Sequence, residues 1–483
     1  MLGIIPSIPQ EVYTFPQLSR AIIWKNDSHV DFEEPTMGAI GKITNSGANK
    51  PNQPKSFVPA PIQKITDTGL SQLWLQDLAL KILYFQGYMG GYKIAEALSL
   101  PFTGITSQIL DTLKREKFVE VRSSQMGLGE GAYQYAITGA GIARAREALE
   151  RSQYAGPAPV PIEDYNRAIR QQSQGQLTIT SRLLRQALSS LVLSENTFQS
   201  IGPAVNSGTS IFIYGPPGNG KTSIARAIGK MILSTSMYIP YAIYIDGQVV
   251  KLYDSVNHQR IAEKTSKTND SGMLRSGKRP DPRWVRIRRP FIITGGELTL
   301  SGLDLVFDDV NKFYEAPFQV KANGGILLID DFGRQLVRPR DLLNRWIVPL
   351  ENRIDYLTLH TGRKVEVPFN VLVVFSTNLP PKDLVDEAFL RRLRHKIEIG
   401  DPSFEDYREI FKRVAQAKGV KFSEQGIAYL LQEWYVKRGR KLRASHPRDI
   451  CDQIIDIARF LSVEPEMTRE LIDRAAASYF VEL

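Results

Sequence analysis

The chain is predicted to be an α/β protein in which a parallel sheet with crossover helices is preceded by a small α+β domain and closed by a helical C-terminal region. Three observations predict it. The apolar run Ile211-Phe212-Ile213-Tyr214 leads into a glycine-rich turn, Gly215 to Thr222, and then into a helical run, Ser223–Leu233. Two further apolar runs, Gly325–Ile329 and Val371–Ser376, are each followed by acidic or amide side chains, and unbroken apolar strands are what a parallel sheet covered on both faces requires. Beyond about Gly400 the strand pattern stops, and Tyr407–Ala417, Glu424–Val436, Arg448–Leu461 and Thr468–Tyr479 carry helical periodicity.

A chain of 483 residues exceeds what one hydrophobic core organises, so several domains are expected. Residues 1–61 include the polar, proline-rich stretch 45–54 and read as a flexible arm. Residues 62–153 hold an amphipathic helix from Ser71, a short helix Lys93–Leu98, a third helix Ile105–Glu116, then two alternating runs, Phe118–Val121 and Ala132–Ile137, and a charged helix Ile142–Arg151. Three helices followed by a hairpin resemble a winged-helix domain. Alternating prolines in 154–163 favour an extended linker. The α/β core is assigned to 164–400, with a basic insertion at about 248–320, and a helical lid to 401–483.

Composition narrows the function classes. Hydrophobic residues make up 42% and charged residues 23%, and the longest apolar runs fall short of a bilayer span. The first residues lack the basic start and apolar core of a secretory signal, so a cytoplasmic location is the default expectation. With Cys451 as the single cysteine, a disulfide framework and a thiolate metal cluster are both excluded within the chain. The net charge of +10 favours polyanions as partners.

The glycine-rich turn carries the chemistry. Gly215-Pro216-Pro217-Gly218-Asn219-Gly220-Lys221-Thr222 is a complete P-loop pattern in its expected place between strand and helix. Its glycines let backbone N–H groups converge on phosphate oxygens, and the following helix adds its positive end. Lys221 is expected at the β- and γ-phosphates of ATP and the Thr222 hydroxyl at Mg²⁺. The run Gly325–Ile329 delivers Asp330 and Asp331 at the end of a strand, where ligands of parallel sheets sit. This pair resembles a Walker B motif, with Asp330 toward the metal and Asp331 in the place where related ATPases carry the glutamate that polarises water. An aspartate is one methylene shorter.

Further motifs resemble those of AAA+ ATPases over about Val192 to Leu483. Asn378, after the run Val371–Ser376, matches the sensor-1 position, where an amide both donates to the γ-phosphate and accepts from the lytic water. Arg391 and Arg392, in Asp386–Ile397, match arginine fingers, and Arg448, in His446-Pro447-Arg448-Asp449-Ile450, resembles sensor 2. A guanidinium suits both tasks, being always charged and offering paired donors. The resemblance implies a homo-oligomeric ring, usually of six subunits, with ATP at subunit interfaces.

About a hundred residues separate Thr222 from Asp330, so an insertion is expected between the second and third core strands, after the run Tyr241–Ile245. Lys251 and Tyr253 stand where translocases place a pore loop and are candidates for gripping a client; Tyr253 packed in a core is the alternative. Nine basic residues follow, at 264, 267, 275, 278, 279, 283, 286, 288 and 289, against Asp270 and Asp281. They suit nucleic acid or acidic protein surfaces. The third helix of the N-terminal domain is expected to expose Thr106, Ser107, Gln108, Lys114 and Arg115. Two functions result: a ring that remodels or threads a protein, or a DNA-associated ATPase recruited by its winged helix and basic insertion.

Overall fold

Apolar strands with no polar face can be buried only between two layers, and the computed structural model arranges them so. It describes residues 57–124, 130–173, 178–262, 279–384 and 391–481. Most of the expected N-terminal arm, the four basic residues at 264, 267, 275 and 278, and the finger segment from Asp386 to Leu390 lie outside these.

The N-terminal domain runs α1 (Gln72–Gln86), β1 (Tyr88–Gly90), α2 (Gly91–Leu98), α3 (Ser107–Arg115), β2 (Val119–Ser124), β3 (Tyr133–Ile137) and α4 (Gly139–Arg151). The expected hairpin is β2–β3, and β1 adds a third antiparallel strand in the order β1-β3-β2. One expected surface residue is internal: Thr106 is fully buried and its hydroxyl donates to the Pro101 carbonyl at 3.0 Å. Next come β4 (Val160–Pro161), α5 (Ile162–Ser173), α6 (Ser181–Ala187) and α7 (Glu195–Ser207).

The core then begins with β5 (Ser210–Tyr214) and α8 (Lys221–Ile232) and detours through β6 (Ser236–Pro240), β7 (Ala242–Ile245), β8 (Gln248–Lys251) and β9 (Trp284–Arg288). It resumes with β10 (Phe291–Thr294), followed by β11 (Val306–Asp308), β12 (Phe313–Glu315), α9 (Phe318–Lys321), β13 (Ile326–Ile329), α10 (Pro339–Asn352), β14 (Ile354–Thr358), β15 (Lys364–Pro368), β16 (Leu372–Thr377), α11 (Pro381–Leu384) and β17 (His395–Glu398). Five strands form one parallel sheet, β10-β13-β16-β5-β17. Side chains alternate between its faces. Ile211 and Ile213 pack with Ile224 and Ile228 of α8, while Phe212 packs with Trp346 of α10 and Phe375 on the other side.

The run Tyr241–Ile245 is not the second strand of that sheet. Residues 242–245 form a hairpin, β7–β8, around Asp246 and Gly247, whose φ angles of 48° and 85° suit a tight turn between antiparallel strands. They belong to an accessory sheet, β11-β12-β8-β7-β4, and β10 takes the core position. The detour therefore precedes the second core strand. The accessory sheet packs on α5 through Tyr165 and Ile169, and on the N-terminal domain through Ala242, Val249, Tyr244 and Phe313. Between them the proline-rich segment is extended but enclosed: Ala158 and Val160 are buried, and the Ala158 N–H donates to Leu98 O at 2.7 Å.

Two of the nine basic residues are structural. Arg283 is buried against Asp281, at 2.7 Å, and donates to the carbonyls of Thr68 and Pro159 at 2.7 and 3.1 Å, which ties the detour to the N-terminal domain and to the extended segment. Arg289 donates to the carbonyls of Gly324 and Gln172 at 2.6 and 2.9 Å. Tyr253 is half-buried, edge-on to Tyr241 and stacked on His258, as the packed alternative expects.

The lid comprises α12 (Phe404–Lys418), α13 (Glu424–Leu430), α14 (His446–Leu461) and α15 (Arg469–Tyr479), with a wider turn at Leu431–Val436. Through its core runs a polar chain: Tyr407 and Tyr435 share a hydroxyl bond of 2.8 Å, and Tyr435 reaches His446 Nδ1 at 2.8 Å. Burial pushes the His446 imidazole down to about 4, so it is neutral near pH 7.

Two stability predictions follow from these contacts. Arg283→Ser strands a buried carboxylate and should cost about 3–5 kcal/mol in denaturant unfolding, against about 0.5 kcal/mol or less for exposed Arg286→Ser. His446 binds its proton more weakly folded than unfolded, so the stability it confers is complete above about pH 6.5 and is lost as the pH falls toward 4. The stability gap between the wild type and His446→Gln should therefore shrink over that window in thermal unfolding.

Candidate nucleotide site

The C-terminal ends of β5, β13 and β16 converge on one pocket of about 460 Å³ under the lid. The P-loop turn forms one wall. Gly218 has a φ of 81°, and a Cβ there would sit 2.6 Å from Ser445 Oγ of the lid; a Cβ on Gly215 would meet the Ile399 carbonyl at 2.2 Å. Glycine is required by that approach as well as by the angle. Lys221 is buried and its ammonium donates to the carbonyls of Gly215 and Pro216 at 3.0 and 2.9 Å. Burial lowers its proton affinity, and the Asp331 and Asp330 carboxylates pull the other way.

Thr222 Oγ1 lies 3.0 Å from both carboxylate oxygens of Asp330. Such a hydroxyl and carboxylate pair fits a hard divalent cation, which takes few protein oxygens and completes its shell with phosphate and water. Asp331 is left-handed, with a φ of 49°, and faces the same pocket as Asn378 and Ser376. Its turn is pinned from two directions: Gln335 Nε2 donates to the carbonyls of Asp330 and Asp331 at 3.1 and 3.2 Å, and Phe332 N–H donates to Ser376 O at 2.7 Å.

The lid supplies Arg448, exposed and 3.1 Å from Asp449, on the pocket rim. An apolar end lies opposite the P-loop, between Leu191, Ile410 and Val414, and there Arg413 donates to Ser189 O at 2.9 Å. The pocket thus pairs an apolar slot with a cationic, N–H-rich cradle, the two halves a nucleoside triphosphate needs. Arg391 is exposed and Arg392 lies 2.6 Å from Glu351; neither lines this pocket.

Sequence reasoning missed Gln335, Arg413, Asp401 and Arg443. The last two belong to a junction centred on Asn219, which is 5% exposed. Its amide donates to Gly400 O at 3.0 Å and Asp401 Oδ1 at 2.8 Å, and its oxygen accepts from the Ala444 N–H at 3.2 Å. Arg443 pairs with the same Asp401. Asn219 therefore joins the P-loop to both sides of the passage from core to lid. No sequence pattern signals this, because its partners lie about 180 and 225 residues away.

Strand order, P-loop and helical lid together make an α/β fold with a parallel core sheet and a helical C-terminal region, the arrangement that the sequence motifs led us to expect. A family model described as a domain of unknown function, DUF8689, matches residues 403–478, which is the lid. No curated protein matches the chain. Among solved structures, the chain is similar to RuvB of Thermotoga maritima, a Holliday junction branch migration motor, at 14% identity and a TM-score of 0.35 over 62% of this chain and 74% of that one. It is similar also to NtrX of Brucella abortus, at 16% identity and a TM-score of 0.37 over 71% and 68%.

Asn219→Ala removes three hydrogen bonds from a buried junction, at about 1–3 kcal/mol for groups left unsatisfied. The Ala444 amide should then exchange with solvent roughly tenfold faster or more, read by hydrogen–deuterium exchange.

Proposed function

We propose that this chain hydrolyses ATP with Mg²⁺ as a homo-oligomeric ring, six subunits being the size the family resemblance implies, and spends the turnover on remodelling or threading a protein partner. The observation that carries the ATPase assignment is the convergence of Lys221, Thr222, Asp331, Asn378 and Arg448 on one pocket, with Asp330 bonded to Thr222 behind it. In this reading Lys221 and the P-loop N–H groups hold the phosphates, and Thr222 and Asp330 hold the metal. Asp331 orients and deprotonates the attacking water, Asn378 bonds water and γ-phosphate together, and Arg448 meets the charge that develops on the phosphoryl group. Magnesium, when bound, neutralises that charge further.

Arg391 and Arg392 act in trans. Their position outside their own pocket supports a role at a neighbour's site. The protein partner is supported by the exposed end of α3, where Asp111 and, just past the helix, Glu116 neighbour Lys114 and Arg115. Mixed charge suits a protein surface better than the uniform negative field of duplex phosphates.

Lys221→Ala should abolish nucleotide binding, whereas Asp331→Asn should bind ATP and turn it over at least 100-fold more slowly, measured by nucleotide titration and phosphate release. Arg391→Ala/Arg392→Ala should bind ATP and lose roughly 10³-fold in turnover. Mixing that variant with Lys221→Ala, each inactive alone, should restore part of the activity. A mixture that forms rings and stays inactive would overturn the shared-site reading.

A further inference from the structure

Some arginines in this protein pair with carboxylates, as in Arg144 with Asp77, Arg345 with Asp355 and Arg408 with Glu424. Others do not, and four of these lie on or beside one strand ribbon. Arg260, Arg279, Arg286 and Arg288 are all exposed, and none pairs with a carboxylate among the described residues. Among the described residues, Arg286 donates to the Ser236 hydroxyl and Arg288 to the Leu233 carbonyl. Uncompensated cations on one surface raise a local positive potential that an anionic ligand relieves.

Their placement follows from β9. Val285 and Ile287 point into the accessory core, so Trp284, Arg286 and Arg288 share the outer face, with Tyr238 of β6 opposite Arg286. Two residues of strand span about 6.6 Å, which is on the order of the spacing of consecutive phosphates along an extended nucleic-acid strand. The segment carrying Arg260 runs alongside, with its Ile261 N–H bonded to Arg286 O at 2.9 Å. Between this ribbon and the edge of the N-terminal domain at Pro61–Gln63 lies a cleft of about 1010 Å³, lined by Arg260, Arg279, Arg286 and Trp284. Its one carboxylate, Asp281, is already bound by Arg283.

We propose that this cleft binds the phosphodiester backbone of single-stranded nucleic acid, with Trp284 as a stacking surface for a base. The site goes beyond the ATPase reading and does not depend on it, because the cleft is built apart from the P-loop. Arginine with an aromatic face is the pairing that sequence-tolerant strand binding uses. Trp284 meets the Phe57 ring edge-on, with centroids 5.8 Å apart, and is half-buried; an acidic peptide would draw on the charges without the aromatic face.

The probe is a fluorescein-labelled oligothymidylate of about 20 nucleotides, titrated with the full chain over a series of salt concentrations by fluorescence anisotropy. Binding should weaken with salt, and Arg260→Ser/Arg279→Ser/Arg286→Ser should reduce the slope of log affinity against log salt by about 2. The corresponding triple lysine variant should keep the slope, which separates charge from fold. Trp284→Leu should keep it too while binding roughly 5- to 100-fold more weakly. Lys221→Ala should bind the strand like the wild type, so failure of the ATPase reading leaves this test intact. An unchanged slope in the serine variant, equal affinity for a duplex of the same length, or displacement by polyglutamate at matched charge would each overturn the proposal.

Discussion

The burial of β5 on both faces is the constraint from which the rest of the molecule is organised. A strand buried on both faces, as Ile211, Phe212 and Ile213 are here, must have helices above and below it, and those helices need connections that cross the sheet at its ends. Here α8 covers the Ile211 and Ile213 face and α10 the Phe212 face. The crossing to α8 is the P-loop, and parallel neighbours β13 and β16 bring Asp330 and Asn378 to the same end. The site is thus a consequence of packing: no polar group had to be placed individually, because the strand ends were already assembled.

Around that end, polar contacts convert proximity into geometry. Asp331 holds a left-handed backbone that costs a non-glycine residue on the order of 1 kcal/mol. Gln335 and Ser376 offset that cost by fixing the turn through three hydrogen bonds. The turn leaves the Asp331 side chain on the pocket wall. Asn219 does the same for the opposite wall, using both ends of one amide to hold the P-loop against Gly400 and Ala444.

The sheet, the lid and most of the site were legible in the sequence because each rests on local signals: continuous apolar strands, a glycine pattern, helical periodicity. The accessory sheet was not, and the reason is specific. Residues 242–245 look like a core strand until the turn at Asp246–Gly247 is recognised as a hairpin, and β4 and β12 are too short to announce themselves. The basic stretch was legible as charge but not as structure. Burial separates Arg283 and Arg289, which hold carbonyl groups together, from Arg286 and Arg288 on the outer face, and sequence spacing alone does not report which way a pleat turns.

The enclosure of the proline-rich segment has a mechanical meaning. A domain on a loose tether samples a volume, and whatever it captures is delivered to the motor by diffusion within that volume. Here the N-terminal domain and the accessory sheet share one hydrophobic core, closed by Arg283. The N-terminal domain therefore follows the accessory sheet as one body: a rotation of the sheet is transmitted in full, with displacement growing in proportion to distance from the pivot and no slack to take up.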